Sequence, residues 1–142
     1  MVQQWADGAD KPIVMITGVT GYLGSMTAKM FLEDGSYRVR GTVRDLNNAV
    51  KIDPLKKTLG DELFSKLALV EADLLDPASI AAAAAGSTFV VHTASPFVLQ
   101  NPADPDTLIK PAVGGTKAVL EACLMNRVNR LVITSSIAAI RG

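Results

Sequence analysis

The 142-residue chain is poor in the groups on which several classes of protein depend. It has one cysteine, Cys123, which excludes a disulfide framework and any cysteine-rich metal site. It has one histidine, His92, which excludes two-histidine metal motifs and leaves little for histidine-based triads. The formal net charge is zero and no basic run occurs, so the electrostatic case for a nucleic-acid or acidic-membrane partner is missing. No apolar run approaches the ~20 residues of a membrane span. Residues 1–11 carry Trp5, Asp7 and Asp10 without an apolar stretch, which is not the pattern of a secretory signal. They are expected as a short extension ahead of one domain over 12–142. What the chain does have is apolar content, 49% hydrophobic against 20% charged. That is enough to bury a core and to exclude global disorder. A reducing, cytoplasmic setting is the corresponding expectation.

Short apolar runs alternate with longer amphipathic ones. Residues 13–17 (IVMIT), 38–43 (RVRGTV), 67–72 (LALVEA), 88–93 (TFVVHT) and 130–134 (RLVIT) read as five strands. Helices are expected over 21–34, with Gly35 as the stop, and over 47–59, where Pro54 argues against regularity. A third is expected over 77–85, with Asp76 as N-cap, Pro77 in the first turn and Gly86 as the stop. The fourth spans 106–126, with Leu108, Val113, Val119, Leu120 and Leu124 as its apolar residues. Strands that alternate with helices pair in parallel, because parallel neighbours need a crossover. Near-continuous apolar strands imply a sheet covered on both faces. The expected architecture is α/β: a doubly wound parallel sheet in the order 3-2-1-4-5.

The strongest functional signal is Thr17-Gly18-Val19-Thr20-Gly21-Tyr22-Leu23-Gly24, where the first strand gives way to the first helix. Gly18 can turn the chain tightly. Gly21 leaves room for a diphosphate to reach backbone N–H groups, and Gly24 lets the helix lie close to the sheet. Unpaired N–H groups and the positive end of the helix dipole favour an anion there. The spacing is G-x-x-G-x-x-G rather than G-x-G-x-x-G, and its position after a first strand makes it a dinucleotide signal. A second signal lies about twenty residues on. The second strand ends in Arg44, where an NAD site usually has an acid for the ribose 2′-hydroxyl. A guanidinium there can stack on adenine and pair with a 2′-phosphate, and Lys51 can add a second charge. NADP is therefore preferred over NAD, although Asp45 beside Arg44 keeps NAD open.

In these motifs the chain resembles the extended short-chain dehydrogenase/reductase family, with its Rossmann-type sheet. Within it the chain resembles the branch of dihydroflavonol and cinnamoyl-CoA reductases and similar fungal carbonyl reductases. The resemblance runs from about residue 11 to 142. TGVTGYLG matches the family's cofactor turn, and implies contacts from Thr17, Gly18, Thr20, Gly21, Tyr22, Leu23 and Gly24. GTVRD implies that Arg44 meets the 2′-phosphate, with Lys51 in a second matching position. EADLLD implies Asp73 by the adenine amino group and Leu74 against the ring. VVHTASPF implies Thr93, Ala94 and Ser95 beside the ribose and diphosphate. IKPAVGGT matches the start of the helix under the nicotinamide half. LVITSS implies that Thr134 and Ser135 border the cofactor and that Ser136 is the catalytic serine.

In such enzymes a tyrosine protonates the carbonyl oxygen as hydride arrives, a lysine four residues later lowers the tyrosine's pKa, and the serine polarises the carbonyl. Here Tyr22 is followed four residues on by Met26 and Tyr37 by Gly41, so neither forms Tyr-x-x-x-Lys. The tyrosine, the lysine, the last strands and the substrate-binding part are expected beyond residue 142. The chain thus reads as the N-terminal portion of a reductase, inactive alone, whose full-length form acts on a small-molecule carbonyl substrate. Two other readings stand beside this one. One is a non-catalytic dinucleotide-binding module or sensor; the other is an epimerase or dehydratase of the same extended family. Taken singly, Ser136 is a polar strand-end residue, His92 a packed strand histidine, Cys123 a small core residue and Asp73 a loop carboxylate. The acids at 71, 73 and 76 lack the further ligands a metal would need.

Overall fold

The computed structural model describes residues 10–95 and 104–139; Trp5 and the Pro96-Phe97 end of the VVHTASPF motif lie outside the described residues. Five strands alternate with four helices: β1 (Ile13–Thr17), α1 (Tyr22–Asp34), β2 (Arg38–Val43), α2 (Ala49–Lys66), β3 (Leu67–Glu71), α3 (Pro77–Ala84), β4 (Phe89–His92), α4 (Asp106–Met125) and β5 (Arg130–Ile133). A single 3₁₀ turn, Ile137–Ala139, follows β5. All strands pair in parallel, in the order β3-β2-β1-β4-β5. The expected α/β sheet and strand order are those observed.

Every residue of β1 is buried, as its place at the centre of a doubly covered sheet requires. Successive side chains point to opposite faces, so the strand supplies both cores. Val14 and Ile16 pack with Val39, Leu32, Leu55 and Leu59, under α1 and α2. Met15 packs with Val90, Ile80, Ala84, Val119 and Cys123, under α3 and α4.

Local chemistry sets the helix ends. Gly35 adopts φ 72° after α1 and its N–H donates to the Phe31 carbonyl, a conformation that favours glycine. The Asp76 carboxylate accepts from the N–H groups of Ala78 and Ser79 at 3.1 and 3.3 Å, so α3 starts where expected. Its far end is held by the buried Arg40 of β2, whose Nη1 donates to the carbonyls of Ala83 and Ala85 at 2.6 and 2.7 Å. Burial, and after it the nearby Arg38, lowers the Arg40 pKa from its ordinary value. A cation at a helix C-terminus meets the negative end of its dipole.

Two expectations need correction. The segment expected as a helix over 47–59 runs to Lys66, with a break at Gly60, φ 72° and ψ 164°. Pro54 does not prevent it, because Leu55, Leu59, Leu63 and Phe64 all pack on the core and outweigh the lost backbone bond. In α4, Val119 is buried as expected, but Val113, Leu120 and Leu124 are exposed. The buried face is instead Gly115, Ala118, Val119, Ala122 and Cys123. The core beneath it is contributed by Ala83, Ala84 and Ile80 of α3. Small side chains let the two helices approach closely, which a search for large apolar residues does not detect.

Candidate functional site

The strands' carboxyl ends lie along one edge of the sheet, because the registers pair Thr17 with His92, His92 with Ile133, and Val43 with Glu71. From β1 the chain winds to β2 and β3 on one side and to β4 and β5 on the other. The crevice at that reversal is where open α/β sheets bind ligands.

Residues 17–24 form the crevice wall. Gly18 has φ 68°, and a Cβ there would stand 2.8 Å from Ala94 Cα, so both conformation and space call for glycine. The Gly18 carbonyl accepts the Gly21 N–H at 2.9 Å and closes the turn. A Cβ on Gly24 would run into that same carbonyl and stand 3.0 Å from Thr93 Oγ1, so a side chain at 24 would force the helix off the sheet. Gly21 is the N-cap of α1, with no side-chain cap, and the first turn carries no acid. Tyr22 and Leu23, which open the helix, are exposed. A helix start with neither side-chain cap nor acid presents first-turn N–H groups and a positive dipole end to whatever enters. Thr20 is half-buried within the turn.

Beneath the turn is a polar knot. Thr17, fully buried, has its Oγ1 2.7 Å from His92 Nδ1 and accepts the N–H groups of Thr93 and Ala94, each at 3.2 Å. Thr93 Oγ1 donates to the Thr17 carbonyl at 2.6 Å. The end of β4 is thereby fixed to the end of β1. Burial pushes the His92 pKa below its ordinary value, which favours the neutral ring. On the other side Thr42 Oγ1 accepts the Gly18 N–H at 3.4 Å. Thr134 donates both its N–H and its hydroxyl to the His92 carbonyl, at 3.1 and 3.0 Å, and so carries the edge on to β5.

The structure brings Thr17, Gly18, Gly24, Thr93 and Ala94 into direct contact. Leu74, after β3, packs on α4: a Cβ on Gly115 would stand 2.8 Å from Leu74 Cβ. Asp73 accepts the Leu75 N–H at 2.9 Å and is half-buried. Arg44 and Lys51 are exposed beyond β2, and among the described residues their side chains make no ion pair or hydrogen bond. Asp45 behaves differently, since its Oδ1 accepts the Asn47 N–H at 2.8 Å. Ser95, Ser135 and Ser136 are exposed past the ends of β4 and β5. The Ser136 carbonyl accepts the Ala139 N–H at 2.9 Å. Among the described residues no cluster of His, Cys, Asp or Glu is arranged to hold a metal ion.

Four participants go unnamed in the sequence-derived site: His92, Thr42, Gly41 and Gly115. Gly41 had a signal, since an isolated glycine inside a strand marks a close approach. Here the approaching group is Val19 of the turn, whose Cγ1 would stand 2.6 Å from a Cβ on residue 41. His92 and Thr42 carry no local signal; only the register brings them under Gly18.

Comparison with known proteins adds to this geometry. The model of the NAD dependent epimerase/dehydratase family matches residues 14–142. Cinnamoyl-CoA reductase 2 of Arabidopsis thaliana is 41% identical over 131 residues, covering 92% of this chain and 37% of the relative. The crystal structure of vestitone reductase from alfalfa (Medicago sativa) is 36% identical, with a TM-score of 0.67, over 88% of this chain and 36% of that one. Yeast methylglyoxal/isovaleraldehyde reductase, crystallised as a complex with NADPH, is 26% identical with a TM-score of 0.72, over 89% of this chain and 38% of that one. The chain spans somewhat over a third of the length of these proteins.

Proposed function

Because the chain belongs to the NAD dependent epimerase/dehydratase family, the extended short-chain dehydrogenases/reductases, we propose that it forms the NADP-binding part of an oxidoreductase that reduces an aldehyde or ketone. One observation carries this reading: the uncapped start of α1, pressed onto the sheet at positions where a Cβ on Gly18 or Gly24 would collide with the neighbouring backbone. Such a cradle fits a diphosphate, because the start of α1 has neither a side-chain cap nor an acid in its first turn and so offers backbone N–H groups and a positive dipole end.

Each residue has a task in this proposal. The first-turn N–H groups of Tyr22, Leu23 and Gly24 bind the diphosphate, while Gly21, whose own N–H closes the turn on the Gly18 carbonyl, leaves room for it, and Thr17, Gly18 and Thr20 shape the turn. Asp73 accepts from the adenine amino group and Leu74 covers the ring. Thr93, Ala94, Ser95, Thr134 and Ser135 border the ribose and the nicotinamide half. Arg44, with Lys51, pairs with the 2′-phosphate. NADP is favoured over NAD because, among the described residues, the Arg44 and Lys51 side chains make no ion pair or hydrogen bond, while the adjacent Asp45 is engaged with Asn47. The similarity to a reductase crystallised with NADPH supports the same choice. Bound there, the cofactor supplies a hydride. The Ser136 hydroxyl would donate to the substrate carbonyl oxygen and stabilise the charge that develops on it. The proton donor of such a reduction would be a tyrosine assisted by a lysine four residues on. Residues 1–142 contain no Tyr-x-x-x-Lys, so these residues by themselves bind cofactor without turnover.

The test is a titration of the protein with NADPH and NADH, alongside Arg44→Ala. NADPH is expected to bind more tightly than NADH. The substitution should cost NADPH about 1.5–3 kcal/mol, roughly a tenfold to hundredfold loss, and leave NADH nearly unchanged. Equal binding of the two nucleotides overturns the NADP assignment, and no binding of either overturns the cradle.

A further inference from the structure

His92 belongs to none of the motif positions to which a cofactor contact was assigned, yet it lies directly beneath the cradle. The hydroxyl of Thr17 has two lone pairs and one proton. Both lone pairs are taken, by the N–H groups of Thr93 and Ala94 at 3.2 Å each. The proton is therefore left for His92 Nδ1, 2.7 Å away. That count fixes the ring as the tautomer with its hydrogen on Nε2 and a free lone pair on Nδ1. A hydrogen on Nδ1 would make the ring a third donor to Thr17 Oγ1 and expel one of the two backbone N–H groups. Those groups matter to the cradle, because Ala94 Cα lies against Gly18 and Thr93 Oγ1 lies against Gly24.

We infer that His92 is a positioning residue for the dinucleotide cradle: its Nδ1 lone pair aligns the Thr17 hydroxyl, which in turn holds Thr93 and Ala94 against the glycine turn. The inference rests on the cofactor reading above and extends it to a residue that touches no cofactor. Burial of the ring agrees with it, since a neutral imidazole keeps the required lone pair.

The experiment has two arms. Nitrogen-15 NMR of the protein at neutral pH should report a neutral His92 with its hydrogen on Nε2; a hydrogen on Nδ1, or a charged ring, overturns the inference. NADPH titrations then compare His92→Leu, which has no acceptor, with His92→Asn, whose Oδ1 can stand where Nδ1 stood. The leucine variant should lose about tenfold in affinity, the scale of one polar interaction, and the asparagine variant should stay within about twofold of the parent. Thr17→Val, which also removes the acceptor of the Thr93 and Ala94 N–H groups, should lose at least as much as His92→Leu, and the double variant should lose no more than Thr17→Val alone, as expected if His92 acts through the Thr17 hydroxyl. Should His92→Leu fail to fold, Thr17→Val carries the comparison. If the parent binds NADPH and the variants without acceptor or hydroxyl bind it equally well, the inference falls alone. If the parent binds no dinucleotide, the cofactor reading falls and takes the inference with it.

Discussion

His92 also makes the chain sensitive to acid. It is the only histidine, it is buried, and burial holds its pKa below the ordinary 6.5. Between the folded and unfolded values the unfolded chain binds more protons, so stability rises with pH across that window. The contribution is present in full above about 6.5, the unfolded imidazole value, and is lost as pH falls toward the folded value. For one proton the slope is at most about 1.4 kcal/mol per pH unit. Thermal melting should therefore drop between neutral pH and pH 5.5, and His92→Asn should melt with a shallower dependence; an unchanged slope in that variant would assign the acid sensitivity elsewhere. At this scale the sequence was half legible. Gly18 and Gly24 announce themselves because only absent side chains meet the steric demand of the turn, whereas a Cβ on Gly21 would meet just the Gly18 carbonyl, at 3.3 Å. Thr42 and His92 are ordinary strand residues until the register brings them under Gly18, and no spacing rule connects positions 17, 42 and 92.

Among the elements, α3 is the shortest helix, with eight residues, and depends most on its ends. Asp76 accepts two first-turn N–H groups, and Arg40 donates to the carbonyls of Ala83 and Ala85 at the other end. Asp76→Ala should cost about 1 kcal/mol in denaturant unfolding, the usual worth of such a cap. A loss below a few tenths would mean that Pro77 and the packing on α4 suffice. This helix was readable because cap, proline and terminal glycine all mark it. The inner strand β1 was readable because burial on both faces turns it into an apolar run, and β5 carries the same kind of run although it is largely exposed. Helix α4 was only partly readable: its core face is Gly115, Ala118, Ala122 and Cys123, while Val113, Leu120 and Leu124 face outward. Size misleads there, since close helix packing favours small residues over large ones. The continuation of α2 past Gly60 was missed for a related reason, as Leu63 and Phe64 hold it by contacts that no local rule encodes.

For the molecule as a whole, topology followed from the alternation of elements, but the surface did not. Among the described residues no helix is long and apolar enough to cross a membrane. Yet among the described residues β5 is an edge strand, with Val132 and Ile133 50% and 41% exposed, and Leu124 and Ile137 exposed nearby in sequence. An apolar edge strand invites pairing with another chain. Sedimentation of the 142-residue chain should show association that grows with concentration, and Val132→Lys should reduce it. A parent that stays monomeric at high concentration would show that this edge is already protected.

The cradle of glycines has a consequence for ionic strength. On the proposed reading the diphosphate is gripped by fixed peptide dipoles at a helix start, whereas the 2′-phosphate is met by exposed cations in open water. Dissolved ions weaken the second far more than the first, with a screening length near ~8 Å at physiological strength. Raising salt should thus erode the discrimination between the two nicotinamide nucleotides faster than it erodes their common hold, so the chain becomes a less selective binder before it becomes a poor one.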